Sequence, residues 1–220
     1  MDLKTGALLD LTRTLAGEYL AGFSYPWEAL DGIKDLILTL GPSLNPEEYE
    51  ETAPQVWVHK TARVAPAAYL GAPCIIGPET EVRHCAFVRG SALVGAGCVV
   101  GNSVELKNVI LFDGVQTPHY NYVGDSILGY KSHMGAGSIT SNVKSDKTLV
   151  AVRDGETLLE TGRKKFGAIL GDYVEVGCNS VLNPGSVIGR GTSVYPLSSV
   201  RGAVPPGHIF KEPGCVVPRT

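Results

Sequence analysis

Two of the chain's five histidines, His119 and His133, fall within residues 116–142, QTPHYNYVGDSILGYKSHMGAGSITSN, beside Tyr120, Asn121, Tyr122 and Asn142. A neutral imidazole is the side chain best suited to take a proton near pH 7. Tyrosine hydroxyls and asparagine amides around it supply donors and acceptors for a polar ligand. The types and their clustering point to proton transfer on a polar molecule. A lone histidine is more often structural, and His59, His84 and His208, in ordinary repeat positions or the tail, read as structural or solvated.

A regular repeat must position these residues. Val58, Val64, Leu70, Ile76, Val82, Val88, Val94, Val100 and Leu106 each follow the last by six, and the register resumes as Leu170, Val176, Leu182, Ile188, Val194 and Val200. Small residues often come next, as at Ala65, Gly71, Gly77, Gly95 and Gly101. A period of six fits neither an α-helix nor simple strand alternation. It fits a solenoid in which three short strands and three turns close a coil of about 18 residues, each aliphatic side chain stacking on its equivalents above and below. The expected fold is all-β, a parallel β-helix over residues 55–205, and residues 116–142 interrupt it.

Residues 1–54 read as a helical arm and linker. Leu8, Leu11, Leu15 and Tyr19 form an apolar stripe that predicts a helix over 5–22, and Leu30, Ile33, Leu36, Ile37 and Leu40 predict a second over 26–40, with Pro26 at its start and Gly41-Pro42 at its end. The arm is expected to pack on the solenoid or on a neighbouring subunit. Residues 45–54, acidic and bounded by prolines, read as a linker. An insertion at about 143–167 breaks the register. Within it VAVRDGETLLET reads as a hairpin turning at Asp154-Gly155, followed by Arg163, Lys164 and Lys165, and the expectation is a charged wall beside the site. Residues 206–220 read as a C-terminal tail.

The composition narrows the function classes. A formal net charge of −3 provides no overall basic field for nucleic acid or an anionic membrane. No uninterrupted apolar run approaches the roughly 18 residues of a membrane span, and residues 1–20 lack the pattern of a signal peptide. The five cysteines, Cys74, Cys85, Cys98, Cys178 and Cys215, are odd in number and form no C-x-x-C pair. That favours reduced thiols in a cytoplasmic protein, with no zinc site.

The segment NSVELKNVILFDGVQTPHYNYVGDSILGYKSHMGAGSITSN resembles the acetyltransferase domain of the bifunctional glucosamine-1-phosphate N-acetyltransferase/N-acetylglucosamine-1-phosphate uridylyltransferase, a hexapeptide-repeat family. The similarity extends from about residue 89 to about residue 200, ungapped over 101–142, through N-x-V-E-x-K-[KN], H-x-x-Y-x-G-D and G-A-G-[ST]-I-T-x-N. It implies a left-handed β-helix, a homotrimer with sites between subunits, and acetyl transfer from acetyl-CoA to the amine of an amino-sugar phosphate on the way to UDP-N-acetylglucosamine. By position, His119 matches the catalytic base and Asn142 an asparagine at the acetyl end. Arg89 and Lys107 match the residues that hold the sugar phosphate, and Tyr122 a sugar- or phosphate-binding tyrosine. Ala168, Cys178, Tyr195 and Lys211 would lie along the acetyl-CoA path. His133 stands where the family has an asparagine that contacts the sugar, and Cys178 where it has a serine. Nothing in the sequence matches the Gly-rich loop of the uridylyltransferase half. The resemblance thus implies a free-standing acetyltransferase, with a separate uridylyltransferase as partner.

Two other readings stay open. A trimer of this kind can bind a nucleotide sugar or CoA without catalysis and serve as a regulator or scaffold. Some β-helix trimers are zinc carbonic anhydrases, which place two of three histidines in an H-x-x-x-x-H spacing. Here Gly124 stands five residues after His119 and Ser138 five after His133.

Overall fold

The computed structural model describes residues 1–219. The hexads fold into stacked coils of parallel strands with three faces. On the first face lie Val56–His59, Cys74–Ile76, Ala92–Val94, the ends of Glu105–Leu111 and Tyr122–Leu128, then Ala168–Leu170, Ser186–Ile188 and Ala203–Val204. The second face begins at Tyr69–Leu70 and Phe87–Val88, takes in the starts of Glu105–Leu111 and Tyr122–Leu128, and ends at Ser199–Val200. The third face is a nine-stranded sheet that holds Gln116–His119 and His133–Met134. The stacking rule is visible in the register. Val58 pairs with Ile76, Val64 with Val82 and Leu70 with Val88, all 18 residues apart. The inward ladder of Val88, Leu106, Val123, Thr140, Leu182 and Val200 is buried.

The register changes at the centre of the molecule. Val88 pairs with Leu106 but Val94 with Leu111, so the coil is one residue shorter between the second and first faces. The same shortening recurs between Val123 and Leu128. The two strands therefore run unbroken through this corner, and Asn108 and Asp125 take it with φ of 55° and 47°. Asn and Asp tolerate the left-handed region better than most residues.

The arm folds along the first face. Trp57, Ile75, Leu93, Ile110, Ile127, Ile169 and Val187 form one ladder there. They alternate with the inward residues and point outward, yet all are buried. Leu30, Ile33 and Ile37 of the arm are equally buried, and Trp27 packs on Phe166 with ring centroids 5.9 Å apart. Strands covered on both sides read as continuous apolar runs, and CII, ALV, VIL, SIL, AIL and SVI are such runs. Of the two expected partners for the arm, the structure shows it packed on its own solenoid.

Four local expectations need correction. The helix expected over 5–22 is broken into Thr5–Leu8, a 3₁₀ turn at Leu11–Arg13, and Gly17–Ala21. Asp10 caps that turn by accepting from the Thr12 N–H, and its own N–H donates to Asp172, so the chain bends toward the solenoid and leaves Leu15 exposed. The 45–54 linker contains a strand, Tyr49–Ala53, antiparallel to Val56–His59. The tail also carries structure: His208–Glu212 stacks parallel on Ser193–Val194, and Cys215–Pro218 folds back on it. The inserted hairpin is present as Val150–Asp154 and Thr157–Arg163. Asp154 pairs with Thr157, so its two-residue turn is Gly155-Glu156, one residue later than expected. No helix among the described residues is long and apolar enough to cross a membrane.

Candidate functional site

The shortened corner carries a buried polar network. The Asp125 side chain is only 4% exposed. Lys107 Nζ lies 2.8 Å from its Oδ1 and 3.1 Å from its Oδ2, and Asn108 Nδ2 donates to Oδ1 at 3.0 Å. Asn142 Nδ2 donates to Oδ2 and also to Tyr122 Oη, the latter at 3.2 Å. A carboxylate so far from water needs this matching, because an unpaired buried charge costs several kcal/mol, on the order of 3–5. Burial pushes the Tyr122 phenol pKa up, and the charges of Asp125 and Glu105 push the same way. Gly124 lies between Tyr122 and Asn142, where a Cβ would fall 2.4 Å from Tyr122 Oη. The G of the Y-x-G-D motif is therefore a packing requirement of this network.

Arg89 lies on the same second face, exposed, with Nη1 donating to Glu105 Oε1 at 2.8 Å. Glu105 is the ladder neighbour of Tyr122, so Arg89, Glu105, Tyr122, Asn142, Asp125 and Lys107 form one continuous surface.

His119 ends the third-face strand at the corner that leads to Tyr122. Its N–H donates to Asn121 Oδ1 at 3.2 Å and its carbonyl accepts from Gly137 N–H at 3.0 Å. Asn121 is buried and donates onward to the carbonyls of Gly135 and Ser138, which fixes the corner. The imidazole is exposed and makes no hydrogen bond among the described residues.

His133 is placed elsewhere. It pairs in register with Gln116 and Glu175 on the third face, and its Nδ1 lies 2.9 Å from Glu175 Oε2. Together with Gln116 and Lys131 it lines a separate shallow pocket. Within one protomer the structure does not bring it to Lys107, Tyr122 or Asn142.

The four residues expected along the acetyl-CoA path separate into two groups. Extending the strand pairing by one residue puts Tyr195 and Lys211 in one column with Gly135 and Gly177, and carrying the same register further puts His119, Ala136 and Cys178 in the adjacent column. Cys178 is exposed, and Lys211 Nζ sits 6.0 Å from the centre of the Tyr195 ring. An open line thus runs along this corner from His119 past Cys178 to Tyr195 and Lys211. Ala168 is off that line, fully buried on the first face with its N–H donating to Ser126 Oγ at 3.0 Å.

The insertion leaves the solenoid after Asn142 and returns at Phe166, whose N–H donates to the Asn142 carbonyl at 3.0 Å. It walls a cleft of about 420 Å³ in which Gly162, Arg163, Lys164 and Lys165 face Lys107, Asn108 and Asp125, with Leu30 and Asp31 of the arm at the side. Asp125 and Asn108 were not singled out as site residues from the sequence. Both stood inside the motifs, but nothing there told that Asp125 is buried or which cation it holds.

No protein-family model matches the chain. The bifunctional sugar-1-phosphate nucleotidylyltransferase/acetyltransferase of Sulfurisphaera tokodaii is 34% identical over 105 residues, 48% of this chain and 26% of that protein. The bifunctional protein GlmU of Azotobacter vinelandii is 33% identical over 148 residues, 67% of this chain and 24% of that protein. The chain is a sequence relative of the GlmU-type bifunctional proteins. It spans about a quarter of the length of these two relatives. Among solved structures, a hexapeptide transferase family protein from Anaplasma phagocytophilum superposes with a TM-score of 0.41 at 17% identity, over 73% of this chain and 76% of that one.

Proposed function

We propose that the chain is a CoA-dependent N-acetyltransferase acting on the amine of an amino-sugar phosphate, with glucosamine-1-phosphate as the first acceptor to test. The observation that carries the reading is the position of His119. Its imidazole is exposed and makes no hydrogen bond among the described residues, and its strand ends at the corner that leads to Tyr122, beside the open line toward Cys178, Tyr195 and Lys211.

The chemistry follows from that placement. An amine at neutral pH is mostly ammonium and cannot attack a thioester. Neutral His119 takes a proton from the amine, whose nitrogen then bonds to the acetyl carbonyl carbon. The carbon–sulfur bond breaks as the nitrogen loses its second proton and the sulfur takes one up, so CoA leaves as the thiol and the proton held by His119 passes to water. A backbone N–H at the corner near Asn142 would stabilise the oxyanion. Arg89, Lys107 and Tyr122 would hold the acceptor, and Tyr195 and Lys211 would flank CoA. Ala168 is buried and takes no part in this grouping, and His133 lies outside it in one protomer and would enter only through a neighbouring subunit.

A homotrimer is part of the proposal, because the second face presents Tyr69 and Phe87, ladder neighbours that are both exposed and that a neighbour would cover. The names of the relatives support pairing the product with a nucleotidylyltransferase reaction. The test is release of free thiol from acetyl-CoA with glucosamine-1-phosphate, run beside other amino-sugar phosphates and beside unphosphorylated glucosamine. Acceptor-dependent release supports the proposal. If no acceptor elicits release while CoA still binds, the chain is a binding protein and the catalytic reading fails.

A further inference from the structure

Both cations that the sequence assigns to the acceptor phosphate are already matched by carboxylates. Lys107 is held by Asp125 and Arg89 by Glu105. Each pair is close to neutral, whereas a phosphate monoester carries about −1.5 to −2 at pH 7. The balancing positive charge must come from other side chains around the same surface.

The insertion supplies it. Arg163, Lys164 and Lys165 form the wall of the cleft that faces Lys107. Lys164 and Lys165 are exposed, and neither makes an ion pair among the described residues. Arg163 is the unusual member. Its side chain is only 10% exposed, and its Nε has no hydrogen-bond partner among the described residues. A buried donor left unsatisfied is uncommon. Its terminal nitrogens hold Asp31 of the arm in a two-pronged pair, with Nη1 at 2.7 Å from Oδ2. Asp31 is 85% exposed, so its carboxylate can leave for water at little cost. A guanidinium fork that accepts a carboxylate in this geometry accepts phosphate oxygens equally well.

We propose that the acceptor's phosphate docks on Arg163 in exchange for the Asp31 carboxylate, flanked by Lys164, Lys165 and Lys107. The insertion is then the phosphate arm of the site, and Asp31 its occupant when no substrate is bound. Rooting of the insertion at Asn142 ties this subsite to the network that carries Tyr122. The inference rests on the amino-sugar phosphate reading given above, and the experiment separates the two.

In the full chain, Lys164→Gln/Lys165→Gln and Asp31→Asn are compared with wild type for acetyl transfer to glucosamine-1-phosphate and to glucosamine. All three positions are exposed, and far-UV circular dichroism of each variant checks that it folds, since Asp31→Asn removes the counter-charge of Arg163. The lysine pair should reduce the preference for the phosphorylated acceptor, the ratio of the two kcat/KM values, by about tenfold. Asp31→Asn should lower KM for glucosamine-1-phosphate about threefold, since the competing carboxylate is gone. Transfer with an unchanged ratio in the lysine pair overturns the phosphate arm and leaves the transferase reading standing. If no acceptor is acetylated, calorimetric titration with inorganic phosphate decides the subsite alone. Tighter binding by Asp31→Asn and weaker binding by the lysine pair support it, and equal binding by all three proteins overturns it.

Discussion

Lys107 and Asp125 lie on neighbouring coils, and the lysine ammonium touches both oxygens of a carboxylate that has almost no contact with water. The residue that the motif offers as a ligand for substrate is therefore first a structural partner. Lys107→Met would leave Asp125 with only the amides of Asn108 and Asn142. We expect a loss of about 3 kcal/mol, the lower end for breaking a buried pair, since Lys107 is partly exposed. Urea unfolding of Lys107→Met, Asp125→Asn and the double variant measures this. The double variant should lose less than the sum of the singles, because the pair couples them. A single Lys107→Met variant as stable as wild type would show that the contact carries no stability.

His119 has the opposite character. Its backbone holds a corner, but its ring holds nothing among the described residues. His119→Ala should therefore keep the fold and the unfolding midpoint of wild type. It should lower kcat by about 10²–10⁴-fold with a small change in either KM, as expected when a general base is removed. Near wild-type turnover would sink the assignment of the base.

The small residues that follow the inward aliphatics have a measurable reason. A Cβ on Gly101 would fall 1.6 Å from the carbonyl oxygen of Pro118, one coil away. Gly101→Ala must push the backbone next to His119 and should abolish or severely impair folding, judged by far-UV circular dichroism and soluble yield. Gly6→Ala is the contrast. Nothing lies within 4 Å of its Cβ, and Gly6 sits inside the short helix Thr5–Leu8. That change should leave stability unchanged or raise it by about 0.5–1 kcal/mol. Equal behaviour of the two variants would contradict close coil stacking as the cause.

The solenoid was legible because a spacing of six survives in the sequence even where the strands are only two residues long, as at Arg63–Val64. The arm was legible as helix but not in detail. Its stripe of Leu8, Leu11, Leu15 and Tyr19 is periodic, yet contacts with the solenoid through Asp172 and Asp113 override the local preference. The partner of the arm was written in the triplets CII, VIL and SIL, whose middle residues are apolar on the side that faces away from the core. The site was half legible. Motif spacing collects Tyr122, Asn142 and Lys107, which do meet. It cannot tell which face of a coil His133 occupies, because that depends on where a residue is lost between Leu106 and Leu111. Nor can it tell that Ala168 lies beneath the surface.

The open line from His119 to Lys211 can be read through the cysteines. Cys74 and Cys98 are buried, and burial pushes both thiols up to about 12. The raised value favours the neutral thiol, so near pH 8 neither carries appreciable thiolate, and each should react with a thiol reagent only after unfolding. Cys85 and Cys178 are exposed and should label quickly, with Cys215, half-buried, between the two classes. If CoA runs along the corner that holds Cys178 and Tyr195, a non-reactive CoA thioether should slow labelling of Cys178 by about tenfold or more and leave Cys85 unchanged, since saturating ligand leaves only a small free fraction. Mass spectrometry of the labelled peptides measures each site separately. Equal slowing at Cys85 and Cys178 would mean a global effect of the ligand, and no slowing at Cys178 would remove this corner from the CoA path.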